Sequence, residues 1–223
     1  MNIAPPQPYT KVPFAELQAY LQNTASAEEV NYIEVTDIEA AALFIDDENW
    51  ENLENFEKPS LLGKILKQSG KEVALKLPKT VENLYSMHNC FWGCSTLVSL
   101  EAIPEGVVDM SYCFNKCTSL VEAPALPDSV TNMHCFFKDC TSLTAVPNIP
   151  DSVTDMRSCF NGCTSLTSVT LKCGYLDGKF NYAFDGCSRL STGSIKVPAD
   201  SLDDYKDNAD KMKAKAEWFA KDE

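Results

Sequence analysis

Five segments of the chain repeat one another, and that repetition restricts the fold more than any other feature. Four of them follow at steps of 23 residues: M-H-N-C-F-W-G-C-S-T-L from Met87, M-S-Y-C-F-N-K-C-T-S-L from Met110, M-H-C-F-F-K-D-C-T-S-L from Met133 and M-R-S-C-F-N-G-C-T-S-L from Met156. A fifth, F-N-Y-A-F-D-G-C-S-R-L, begins 24 residues later at Phe180. Counted from its first residue, each copy has phenylalanine at position 5 (Phe91, Phe114, Phe137, Phe160, Phe184). Cysteine holds position 8 (Cys94, Cys117, Cys140, Cys163, Cys187) and leucine position 11 (Leu97, Leu120, Leu143, Leu166, Leu190). A unit this short cannot close its own core. Stacked units set equal positions above one another, so the apolar positions become continuous internal ladders.

Behind each leucine the apolar positions continue, as Leu100 and Ile103, Ala123 and Leu126, Val146 and Ile149, then Val169 and Leu171. This spacing predicts a short parallel strand followed by a turn, P-D-S-V at 127–130 and again at 150–153. The M-x-x-C-F-x-x-C stretch reads as a helical or 3₁₀ turn on the opposite wall. Pro124 and Pro147 fall in the strand region, where proline cannot donate to a ladder. The regular strand must therefore be very short, or lie partly in the V-T-x-M stretch before each new repeat.

The run A-F-D-G-C-S-R-L at 183–190, its four imperfect copies and the I-K-V-P-A-D-S-L-D-D-Y run at 195–205 resemble the BspA-like leucine-rich repeats. These are the surface-antigen type of spirochaetes and other host-associated anaerobic bacteria. The resemblance covers about 84–206 and reaches more weakly back to 71. It implies an exported protein on the bacterial surface that binds host or neighbouring-cell macromolecules, matrix and surface proteins among them.

Residues 1–12 read as a flexible lead containing Pro5, Pro6 and Pro8. Pro13 opens a helix over 14–22, with Phe14, Leu17, Tyr20 and Leu21 on one face. N-Y-I-E-V-T at 31–36 alternates like a strand. The acidic stretch 38–58, with Trp50, is compatible with a helix. S-L-L-G-K-I-L-K at 60–67 is a second helix with Ser60 as its cap. V-A-L-K-L-P at 73–78 alternates, so 72–86 reads as a degenerate first repeat. The tail 199–221 reads as one or two helices whose Leu202, Tyr205, Met212, Trp218 and Phe219 cover the last repeat. The expected fold is thus an α/β solenoid, a leucine-rich-repeat array of about five repeats with helical caps. Residues 1–70 form the lead and N-terminal cap, 71–198 the array and 199–223 the C-terminal cap.

The net charge of −13 works against binding nucleic acid or an anionic membrane. No apolar run is long enough to span a bilayer. The start M-N-I-A-P-P-Q-P lacks the apolar core of a signal peptide, although a leader already removed would leave the same start. The ten cysteines are read as buried free thiols acting as small hydrophobes; disulfides or a four-thiolate zinc site are the alternatives. His88 and His134 share position 2, and a His134–Cys135 nucleophile pair lacks a third, orienting group. Asp109, Asn132 and Asp155 form a column read as turn formers, with calcium binding as the rival. The Ser/Thr columns at positions 9 and 10 are read as backbone caps. No phosphate loop, nucleophile elbow or zinc-protease motif is present.

No catalytic, cofactor or metal residue is therefore assigned. The expected working surface is the outward side of the repeat strands, which is mixed in polarity: Val98, Ser99 and Glu101; Val121, Glu122 and Pro124; Thr144, Ala145 and Pro147; Thr167, Ser168 and Thr170. Solenoids bind through extended faces of this kind. The chain is expected to be a non-catalytic protein-recognition module, with an intracellular or periplasmic scaffold of the same fold as the alternative.

Overall fold

In the computed structural model, which describes residues 8–44 and 58–222, the repeats stack in register. Their position-5 rings lie face to face. Centroid separations run from 5.3 Å (Phe91–Phe114) to 5.8 Å (Phe137–Phe160), with interplanar angles of 12–18°. The methionines at position 1, the cysteines at position 8 and the leucines at position 11 line the same interior. One hydrophobic cluster runs unbroken from Val12 to Phe219.

The turn wall is not a helix. Positions 3 (Asn89, Tyr112, Cys135, Ser158, Tyr182) and 7 (Gly93, Lys116, Asp139, Gly162, Gly186) all have positive φ. A left-handed residue at every fourth place turns alternate peptides sideways. In the first four copies the N–H groups at positions 1, 3, 5 and 7 donate to the next repeat, as in Phe114 to Phe136 O at 3.0 Å. Those at positions 4, 6 and 8 bond three residues back within their own repeat, as in Cys117 to Phe114 O at 2.9 Å. Position 2 donates to the side chain two residues earlier. In these four copies every backbone donor at positions 1–8 is thereby satisfied, as buried backbone requires. The strain of non-glycine residues at positive φ, about 1 kcal/mol each, is offset by bonds that tie repeat to repeat.

The opposite wall is parallel sheet in two parts. β1 (Thr10–Pro13), β2 (Asn31–Thr36), β3 (Val73–Lys76) and β4 (Leu97–Leu100) pair in that order, as do β5 (Ala145–Ile149), β6 (Ser168–Leu171), β7 (Ile195–Val197) and β8 (Phe219–Lys221). Between the two parts, residues 120–126 contribute only the isolated bridges Ala102–Ala125 and Glu122–Ala145. Both expected answers to the proline problem occur. The strands are three to six residues long, and a second line of bridges runs Ser86–Asp109–Asn132–Asp155 through the stretch before each repeat. Pro147 is held within β5 where the register slips between Val146 and Ile149, an irregularity that spares it a ladder bond.

The ends follow the expected helices and the 31–36 strand closely and depart from expectation elsewhere. Residues 10–12, read as part of the flexible lead, belong with Pro13 to strand β1, paired with β2 and followed at once by α1 (Phe14–Asn23). The Trp50 stretch lies outside the described residues; of 38–58, Ala40–Ala42 form a 3₁₀ turn. α2 (Leu61–Ser69) is capped by Ser60, whose hydroxyl accepts from Gly63 N at 3.2 Å and donates to Cys90 O at 3.0 Å. In the tail only α3 (Leu202–Asp207) is α-helical. Lys211 and Met212 carbonyls accept from Tyr182 and Phe184 as a further repeat would, and the chain then adds β8 to the sheet. The donors of the fifth repeat need carbonyls in front of them, and a helix would supply none. The five aromatic and aliphatic residues expected to cover that repeat do pack there; Tyr205 stacks on Phe219 at 5.4 Å.

Candidate functional site

Val98, Val121, Thr144 and Thr167 stand one above another, each backbone N–H donating to the carbonyl of the one before. Thr144 and Thr167 add Oγ1 bonds to the same carbonyls, at 3.3 and 2.9 Å. Val121 is 45% exposed, an unusual exposure for valine, and Glu122, Thr144, Thr167 and Ser168 are exposed beside it. Val98, Ser99, Ala145 and Thr170 are half-buried. Glu101 is exposed and pairs with Lys76 at 3.5 Å. Pro124 departs from the expected face: it is buried, in a stretch that joins its neighbours through isolated bridges rather than a regular strand. Pro147 lies in β5; its side chain is outside the described residues.

A groove borders this face at the turn end of the strands. One part, of about 730 Å³, runs from Lys76 to Ser129. The adjoining part, of about 840 Å³, runs on from Glu101 to Lys172, and the two share Glu101, Ala125, Leu126 and Asp128. The face as read from the sequence misses most of these residues. A signal for them exists in the recurring turn P-E-G-V, P-D-S-V, P-D-S-V, which sets Glu105, Asp128 and Asp151 at position 19 of three successive repeats.

The polar clusters of the turn wall bind repeats together rather than form a catalytic group. His88 Nδ1 lies 2.6 Å from Ser111 Oγ, and that hydroxyl donates to Asp109 Oδ1 at 2.8 Å. Serine therefore sits between histidine and aspartate, whereas a nucleophilic triad needs histidine in the middle. Asp109 also accepts from Ser86 and Asn132. Tyr112 Oη lies 2.8 Å from His134 Nε2, and His134 Nδ1 lies 3.0 Å from Arg157 O. The second bond needs a proton on Nδ1, which leaves Nε2 to accept from the phenol. Burial lowers the pKa of both histidines, although nearby Asp109 and Asp155 respectively oppose it. Cys135 lies 3.7 Å from His134 Nε2, but burial raises its pKa, so it stays a thiol and not the thiolate a nucleophile needs.

All ten cysteines are unpaired and buried. The position-8 thiols donate to the position-5 carbonyl of the repeat before, at 3.0–3.1 Å: Cys117 to Phe91, Cys140 to Phe114, Cys163 to Phe137 and Cys187 to Phe160. Burial pushes the thiols of Cys113, Cys117, Cys140, Cys159 and Cys163 well up, Cys173 to about 11 and Cys187 to about 12. Among the described residues no three of His, Cys, Asp and Glu are placed to hold a metal. Asp109, Asn132 and Asp155 do form turns, each accepting from the N–H two residues on. Asp155 also takes Arg157 and Lys179; their hydrogen bonds outweigh the upward push of burial and hold its carboxyl below the usual range. The hydroxyl columns cap less than expected: Thr96 bonds Leu66 O and Ser188 bonds Thr164 O, while the exposed Thr118, Thr141 and Thr164 hydroxyls make no such bond.

The family model for the BspA type leucine-rich repeat region matches the chain in six copies, over residues 48–158 and 110–209. No curated protein matches the chain, and no solved structure does.

Proposed function

The chain belongs to the BspA-type leucine-rich-repeat family, and on that premise we propose that it is a non-catalytic protein-recognition module working at a bacterial surface. The observation that carries this reading is the continuous column Val98–Val121–Thr144–Thr167, with exposed Val121 and Glu122 at its centre and a groove along its edge. Stacked, mutually bonded repeats hold such a face rigid, so binding costs little ordering entropy. Host matrix or surface proteins are the partner class. Affinity would come from a few central residues rather than from the whole area. The elements at each end serve as caps, covering rings that would otherwise face water. No helix among the described residues is long and apolar enough to cross a membrane.

An intracellular or periplasmic scaffold is the second reading, favoured by ten unpaired cysteines. Their burial and raised pKa make them poor nucleophiles, however, so an oxidising exterior does not exclude them. Proteolysis of intact source cells, followed by peptide mass spectrometry, separates the readings. Release of this chain's peptides without lysis is expected. Matrix and host-surface proteins would then be screened against E101A, E122A and T144A variants, at least one of which should weaken a true partner. Full protection until lysis would remove the surface reading.

A further inference from the structure

The two-part sheet has a consequence for what the face can hold. At position 14 the neighbouring repeats carry Leu100, Val146 and Val169, but the second repeat carries Ala123, followed by the buried Pro124 and the small Ala125. The side chain at position 14 is smallest where the regular strand gives way to isolated bridges, and the groove runs past that point. Its floor is apolar, with Leu77, Ile103, Leu126 and Pro127. From Lys76 to Lys172 it crosses five successive rows of the stack. At about 4.8 Å per row that is roughly 19 Å, the span of about six residues of extended chain.

Its charge is one-sided where it is unsatisfied. Lys76 pairs with Glu101, Lys79 with Glu105 at 3.0 Å, and Lys172 with Asp222. No cation among the described residues pairs with Asp128 or Asp151. Asp128 and Asp151 stand in neighbouring rows, where like charges repel, so a positive charge brought to them relieves that repulsion. The chain's net charge of −13 draws such a partner in.

We propose that this groove binds an extended segment of a partner protein, lying across the repeats with apolar side chains on Leu126 and Pro127 and lysine or arginine against Asp128 and Asp151. The inference rests on the recognition reading above and supplies its partner chemistry. In an extended segment alternate side chains point the same way, about 6.6 Å apart, so basic residues at alternate positions reach both carboxylates.

The test uses the full chain and an array of ten-residue peptides on an alanine–leucine–proline background, with lysine, arginine, glutamine or glutamate at alternate positions. Lysine and arginine peptides should bind at least tenfold more tightly than glutamine peptides. D128N/D151N should abolish that preference, and D207N/D210N, which removes the same charge elsewhere, should leave it intact. D128K/D151K should turn the preference toward glutamate. Equal loss in both asparagine variants would reduce the effect to general attraction and overturn the proposal. So would displacement of the peptides by calcium at constant ionic strength in the wild type, with a calcium-binding heat lost in D128N/D151N. Peptides that bind regardless of Asp128 and Asp151 but are lost in V121A/E122A would refute the groove while leaving the recognition face standing. Absence of any peptide or protein ligand sensitive to either set would refute both.

Discussion

The position-8 cysteine is a small buried side chain whose weak S–H donor reaches a carbonyl one repeat away. C117A removes that bond and leaves a small void, so it should cost about 1–2 kcal/mol of unfolding free energy in urea titrations. Native thiols should label slowly. Cys135 is 5% exposed against 2% or less for the other nine, so it should react first with a maleimide, and the other nine should react only after unfolding. Rapid native labelling of several would contradict the buried ladder. Cys135 differs because its repeat reads M-H-C-F-F: phenylalanine fills the inner position and the thiol moves to the left-handed one. That shift is legible in the sequence, but its consequence needs the φ pattern. The histidines supply a pH test. Their folded pKa values lie below the ordinary 6.5, so the unfolded chain binds protons first. Stability should therefore fall as pH drops below about 6.5. The wild-type melting temperature should drop more between pH 7 and 5.5 than that of H88Q/H134Q, in which this contribution is removed; equal slopes would contradict it.

At the scale of elements, strands and turns have different causes. β2, α1 and α2 could be read almost to the residue because period, proline and serine cap agree. The turn wall could not, since M-x-x-C-F-x-x-C fits a helix by spacing alone and only bonding between repeats makes a left-handed residue at every fourth place worthwhile. The face was legible as a column, whereas Pro124 was misplaced because nothing local shows where the regular strand gives way to isolated bridges. α2 rests on the first repeat through Gly63, where an added Cβ would lie 2.1 Å from Cys90 O. G63A must push the helix away, and should cost about 1–3 kcal/mol and speed amide exchange in 61–69 more than in 156–190. An unchanged exchange pattern would show that the helix is not seated there.

For the whole molecule, stability is a sum over neighbouring contacts rather than the property of one centre. F137A, which removes a ring held between Phe114 and Phe160, should cost about 3–5 kcal/mol in urea titrations. Deleting 199–223 uncovers Phe180 and Phe184, which pack on Tyr205 and Phe219, and should produce aggregation instead of a shorter soluble stack. The stack leaves two unlike surfaces, a strand face with its groove and a turn wall sewn together by side chains, and recognition is assigned to the first. Site-specific photo-crosslinking tests that assignment most directly. A benzophenone amino acid would replace either Val121 on the strand face or Tyr182, 51% exposed, on the turn wall, and each variant would be incubated with host matrix and surface proteins. Defined adducts from position 121, competed by unlabelled wild-type chain, with none from position 182, are the expected result. Adducts from position 182 alone would place the working surface on the wrong side of the molecule and contradict the account.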